Sequence, residues 1–166
     1  MNEAANFRRS ANFEAACKFQ NLIFDTFRAL LCTAMPKDTG LSYPDSILEF
    51  QTAKLNLPRQ IGKTTTLVAL AERDPANNIL FAPTRSIRDH IVRSMDVAPG
   101  VEVRTIFNPI VQFRGKTFPW TNILLDEPDH MRKQDLVELL DAVMWCSSNP
   151  NNIRIFGVGT SYERHP

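Results

Sequence analysis

The chain has 166 residues, enough for one domain with a buried core and too few for two full ones. Its 43% hydrophobic and 22% charged residues are an ordinary globular balance. Nineteen basic residues against eighteen acidic ones leave a net charge of +1, so overall charge gives no argument for a nucleic-acid partner and only local basic clusters remain open.

No stretch approaches the roughly 18 apolar residues of a membrane span. Residues 1–10 are polar, with Asn2, Glu3, Asn6, Arg8 and Arg9 and no apolar run behind them, so no secretory signal is expected. Cys17, Cys32 and Cys146 are far apart and in no ligand-like spacing. They read as buried thiols in a reducing compartment. The expected location is the cytosol, with no membrane partner.

Along the chain, residues 13–33 predict a helix, with Phe19, Ile23, Phe24, Phe27, Leu30 and Leu31 recurring every three to four positions. Residues 35–45, with Pro36, Gly40 and Pro44, read as a loop. The second half of 47–57 reads as a strand. Residues 63–73 predict a helix carrying Leu67, Val68, Leu70 and Ala71 inward, stopped by Asp74-Pro75. A short buried strand follows at 78–82. Thr84 or Ser86 then caps a helix running to about Met95, with Ile87 and Ile91 on one face. Residues 101–118 read as a pair of short strands around Asn108-Pro109 and Gly115. A central strand is expected at 121–126, a helix at 132–146 with Leu136, Leu139, Leu140 and Val143 on one face, a turn at 149–152, and a last strand at 153–158. Such alternation predicts an α/β three-layer sandwich around a mostly parallel sheet, with ligands at the carboxyl ends of the strands. The expected organisation is an N-terminal helical segment over residues 1–45 and a core over 46–166, together one compact domain.

Two motifs carry chemistry. Gly62-Lys63-Thr64 matches the second half of the Gly-x4-Gly-Lys-Ser/Thr phosphate loop, with Leu57 at the first glycine position. A turn of backbone N–H groups at a helix start suits phosphate oxygens. Lys63 is then expected to reach the β and γ phosphates of a nucleoside triphosphate. Thr64 is expected to hold Mg2+, and Thr65 to make a lesser contact. Gly-Lys-Thr by itself is a common loop tripeptide; the strand before it and the apolar helix after it favour the phosphate reading. Arg59 lies inside the loop, where a guanidinium offsets charge on a γ-phosphate or simply raises the local potential.

The second motif is the apolar run Asn122-Ile123-Leu124-Leu125 ending in Asp126-Glu127. Two adjacent carboxylates repel unless a cation separates their charges. Asp126 is expected to hold the metal through water, and Glu127 to orient and deprotonate the attacking water. The alternative is an exposed acidic turn, since Pro128-Asp129 follows. Asp129 and His130 rank behind this pair. Residues 155–161 form an apolar strand ending in Thr160-Ser161, either an ordinary strand and turn or a sensor of the γ-phosphate.

Taken together, Arg59-Gln60-Ile61-Gly62-Lys63-Thr64-Thr65, the Asp126-Glu127 strand end and Thr160-Ser161 resemble the ATPase domain of phage large terminase subunits, which drive DNA into capsids. The resemblance covers about residues 19–161. It implies a RecA-like P-loop NTPase of the additional-strand, catalytic-glutamate type, with ATP and Mg2+ as cofactors. Arg59 would be the cis-acting arginine and Lys63 and Thr64 the phosphate and metal residues. Gln60, Ile61, Gly62 and Thr65 would complete the loop, and Thr160 and Ser161 the coupling motif. It also implies partners: DNA, double-stranded by analogy, other packaging or motor subunits, and further copies of the chain, with the host cytoplasm as the location of such a viral protein. Phe81-Ala82-Pro83-Thr84-Arg85 is similar to a motif of superfamily 2 helicases in which threonine and arginine touch the nucleic-acid backbone. Arg85, Arg88 and Arg93 would there form a basic helix face. Gln20 is either an adenine-reading glutamine or a helix-surface residue. No segment is evident for the nuclease domain of terminases or the second motor domain of helicases. Two other readings therefore stand beside the motor: a nucleotide-binding adaptor without turnover, and a helicase-like fragment.

Overall fold

The computed structural model describes residues 3–34, 36, 39–59 and 61–160, with residues 3–13 as backbone only. Five strands form one sheet: β1 (Thr52–Leu57), β2 (Asn78–Ala82), β3 (Glu102–Thr105), β4 (Asn122–Asp126) and β5 (Arg154–Thr160). The order is β1-β5-β4-β2-β3, and every pairing is parallel. The expected "mostly parallel" sheet is thus parallel throughout, and β5 lies between β1 and β4.

Alternation along the strands makes three layers. Side chains of successive residues leave opposite faces. Leu80, Leu124, Phe156 and Val158 join α1 (Glu3–Leu31), α3 (Lys63–Arg73) and α4 (Arg85–Ser94) in one core. Ile79, Phe81, Ile123, Leu125, Ile153 and Ile155 join α2 (Tyr43–Phe50), α5 (Pro109–Phe113) and α6 (Lys133–Cys146) in the other. β2 and β4 are buried along their whole length, as expected for continuous apolar runs in a parallel sheet covered on both sides. The N-terminal helix belongs to the first core through Ile23, Phe27 and Leu30, with the Phe27 ring 5.5 Å from that of Phe156. Leu31, read as part of its apolar stripe, is 40% exposed.

Three segments differ from the sequence reading. Residues 43–50 are helical where a loop was expected as far as residue 45 and no helix was expected after it. Ser42 caps this helix, its hydroxyl accepting from the Asp45 N–H, and Pro44 sits in the first turn, where a missing N–H costs nothing. Residues 109–113 are helical rather than a second short strand. Asn108 turns the chain at φ 49°, Pro109 opens the helix, and Phe113 buries its ring edge-on against Phe118. The cysteines are free, but Cys32 is exposed and Cys17 and Cys146 are half-buried, against the expectation of buried thiols. No helix of the described residues is long and apolar enough to cross a membrane.

Candidate functional site

The site lies at the carboxyl ends of β1, β4 and β5. β1 delivers the chain to Leu57, and a turn through Pro58 and Arg59 leads to Gly62, which caps α3 at φ 77°. A Cβ there would meet only the Gln20 amide, at an ordinary 3.4 Å. The left-handed backbone, rather than crowding, is what favours glycine. α3 then runs over the sheet with Leu67, Val68, Leu70 and Ala71 buried, so its amino terminus is fixed above the strand ends. Burial of Leu67, Val68 and Leu70 contributes roughly 1.5–3 kcal/mol each, and Ala71 less.

β4 puts Asp126 on the α3 face, two residues beyond Leu124. The Thr64 hydroxyl lies 3.1 Å from each oxygen of the Asp126 carboxylate. Lys63 is buried, and its ammonium points at the strand ends. It donates to Thr160 Oγ1 at 2.7 Å and to the Pro58 carbonyl at 3.2 Å, and it stands 3.2 Å from Glu127 Oε1. Thr160 in turn donates its hydroxyl proton to Glu127 Oε1 at 2.5 Å. Lys63, Thr160 and Glu127 are therefore one connected network. Glu127 occupies a left-handed backbone conformation, φ 50° and ψ 60°, uncommon for a residue with a Cβ. Its N–H still closes the ladder by donating to Val158 O at 3.0 Å. Its Oε2 is buried and has no partner among the described residues. Backbone strain and an orphaned buried oxygen in one acidic residue mark a place where stability has been given up locally.

Burial raises the Asp126 carboxyl from 3.8 to about 6; the Thr64 hydrogen bond and Lys63 oppose this, and the neighbouring Glu127 charge adds to it. The sign follows directly. Between the unfolded value and about 6 the folded state holds the proton more tightly, so this group's contribution to stability falls as pH rises through that window. The cost is complete above it, with a ceiling of about 3 kcal/mol. Asp126→Asn removes the cost. The melting temperature of the variant relative to wild type should climb from pH 4 to pH 6 and level off above, as measured by paired thermal melts. A flat difference across that range would show that Asp126 titrates as an ordinary carboxylate.

A cleft of about 630 Å³ opens over these groups, lined by Arg59, Gly62, Lys63, Thr64, Thr65, Glu127 and Thr160 together with Pro83, Thr84, Ile87 and His130. Most of the sequence-predicted residues are thus brought together. Arg59 and Thr65 are exposed on its lip, while the Ile61 side chain is buried in the first core and anchors the loop. Gln60 and Ser161 lie outside the described residues. Sequence reasoning did not assign Ile87 to this wall, and it ranked His130 behind the acidic pair. Gln20, the more plainly a helix-surface residue by sequence, is half-buried with its amide against Gly62. The basic face of α4 is partly neutralised: Asp89 lies 2.9 Å from Arg88 and 3.9 Å from Arg85.

For a cation, the protein oxygens on offer are the Thr64 hydroxyl and the Asp126 carboxylate. No group of three or more His, Cys, Asp or Glu side chains converges among the described residues. The donor set is hard and sparse, which suits a small divalent ion that keeps waters and shares a substrate's phosphates. No family model matches the chain, and no curated protein is significantly similar to it.

Proposed function

We propose that the protein binds ATP with Mg2+ and hydrolyses it, as a terminase-like motor domain that packages or translocates DNA. The observation that carries this reading is that Lys63, Thr64 and Glu127 line one cleft, with the buried Asp126 carboxylate held against the Thr64 hydroxyl, from a left-handed glycine turn and a buried strand end 62 residues further on. The intervening β5 supports the additional-strand, catalytic-glutamate type of P-loop NTPase, in which a third strand separates the phosphate loop from the acidic strand. Thr160 at the end of β5 supports the coupling role.

The residues divide the work as follows. The N–H groups at the start of α3 and the Lys63 ammonium take the phosphate oxygens, and Thr64 with Asp126 holds the metal. A Mg2+ ion held there would supply charge neutralisation of the phosphates. Glu127, released from Lys63 when phosphate oxygens take its place, accepts the proton of the attacking water. Arg59, on the lip, is placed to offset charge on the γ-phosphate. Water gives the orphaned Glu127 Oε2 the donor it lacks.

Phosphate release from ATP with Mg2+, measured with and without double-stranded DNA, tests the reading. The expected result is hydrolysis that DNA accelerates. Equal rates with and without DNA keep the ATPase and remove the translocating motor. Tight ATP binding with no release under either condition replaces both with the nucleotide-holding adaptor.

A further inference from the structure

Past Glu127 the chain makes a 3-10 turn, Pro128–His130, that folds back over β5. Under it β5 carries two glycines on one face, Gly157 and Gly159. Neither has a positive φ, so the backbone conformation does not require glycine at either position. Space does. A Cβ on Gly157 would stand 3.0 Å from Pro128 Cγ, and one on Gly159 would stand 3.0 Å from both Asp129 Oδ2 and Asn56 Oδ1. At Gly157 the contact is tighter than an ordinary one and meets a proline ring, which moves only with its backbone, so a side chain there would push the turn outward; at Gly159 the two oxygens are the ends of side chains that can turn aside. The turn is also clipped from the far side: Lys54 on β1 reaches across β5 and forms an ion pair with Asp129.

We propose that Gly157, Gly159 and Lys54 form a seat for the Pro128–His130 turn and act as positioning residues for Glu127. The proposal rests on the ATPase reading for its catalytic consequence, although the seat itself does not. The physical argument starts from the backbone of Glu127. Held at φ 50°, it relaxes toward a commoner conformation unless the residues on both sides are fixed. On the amino side the β4 ladder fixes it. On the carboxyl side the turn does, through His130 N–H to Glu127 O at 3.0 Å and Met131 N–H to Pro128 O at 3.1 Å. Filling the glycine notch moves the turn and, with it, the direction in which the carboxylate points. The notch does more of the holding than the clip, because both partners of the ion pair are about two-fifths exposed.

Two measurements on one variant set test this. In Gly157→Ala, amide hydrogen exchange of His130 and Met131 in the nucleotide-free protein should be faster by about tenfold. Its kcat should be about tenfold lower at a KM within about twofold of wild type. Lys54→Asp should show the same pattern at no more than about fivefold, and Lys54→Asp combined with Asp129→Lys should restore both readouts. Unchanged exchange in Gly157→Ala overturns the seat. Faster exchange at unchanged kcat overturns the positioning of Glu127, as does a loss that falls on KM. Absence of turnover in the wild type defeats the ATPase reading and the catalytic consequence together, while exchange still decides whether the notch holds the turn.

Discussion

Glu127→Gln is expected to lower kcat by about three orders of magnitude while leaving ATP affinity intact or improved. The amide keeps the shape and still accepts from Thr160, so the network around it survives. It cannot take a proton from water, and loss of a general base costs on the order of 10²–10⁴ in rate. The direction of the affinity change comes from the ion pair. Glu127 stands 3.2 Å from Lys63, so it would compete with phosphate for the ammonium. Removing the negative charge removes the competitor. Single-turnover hydrolysis together with titration of a non-hydrolysable ATP analogue checks both halves. A variant that turns over at the wild-type rate would mean that Glu127 is not the base.

Lys63→Ala is expected to fail at the earlier step. The ammonium is buried, and in the absence of nucleotide it is held by Thr160, by Glu127 and by the Pro58 carbonyl. Losing a charged hydrogen bond to phosphate costs about 1.5–3 kcal/mol, roughly 10- to 150-fold in affinity. The same truncation leaves the Glu127 carboxylate with Thr160 as its remaining named partner, so the nucleotide-free variant should also be less stable than wild type. Calorimetric titration with the analogue, alongside thermal melts, separates the two effects. Nucleotide affinity equal to wild type would show that phosphate does not bind at the glycine turn.

Together the two variants divide the site by function. On the proposed reading Lys63 is expected to act on binding and Glu127 on the chemical step, though the two side chains touch. Their contact also means that their effects should not add. A double variant losing much less than the sum of the single effects would measure how far the nucleotide-free site is held by its own ion pair.

Long periodic segments were legible in the amino-acid order. α3 spans the predicted 63–73, and β2 and β4 are continuous apolar runs. Segments read wrongly were short ones whose conformation depends on a cap. Pro44 and Pro109 each looked like loop punctuation and each opens a helix, because a serine or a left-handed asparagine just before it turns the chain. In the site, the types of Lys63, Thr64, Asp126 and Glu127 and their places at strand and helix ends were readable. Their mutual distances were not.

By itself, the sequence determined the elements with a repeating period, the glycine turn at Gly62 and the acidic end of an apolar strand. These are local properties, set by sterics and by which side of a helix or strand each residue occupies. The strand order was decided only when the sheet closed. It put β5 between the two motif-bearing strands, brought Thr160 within hydrogen-bond reach of Lys63, and opened the glycine notch under the turn that follows Glu127. The Lys63–Thr160 contact joins residues 97 positions apart, and it and the notch follow from how two apolar faces of one sheet are covered, which no window of neighbouring residues contains.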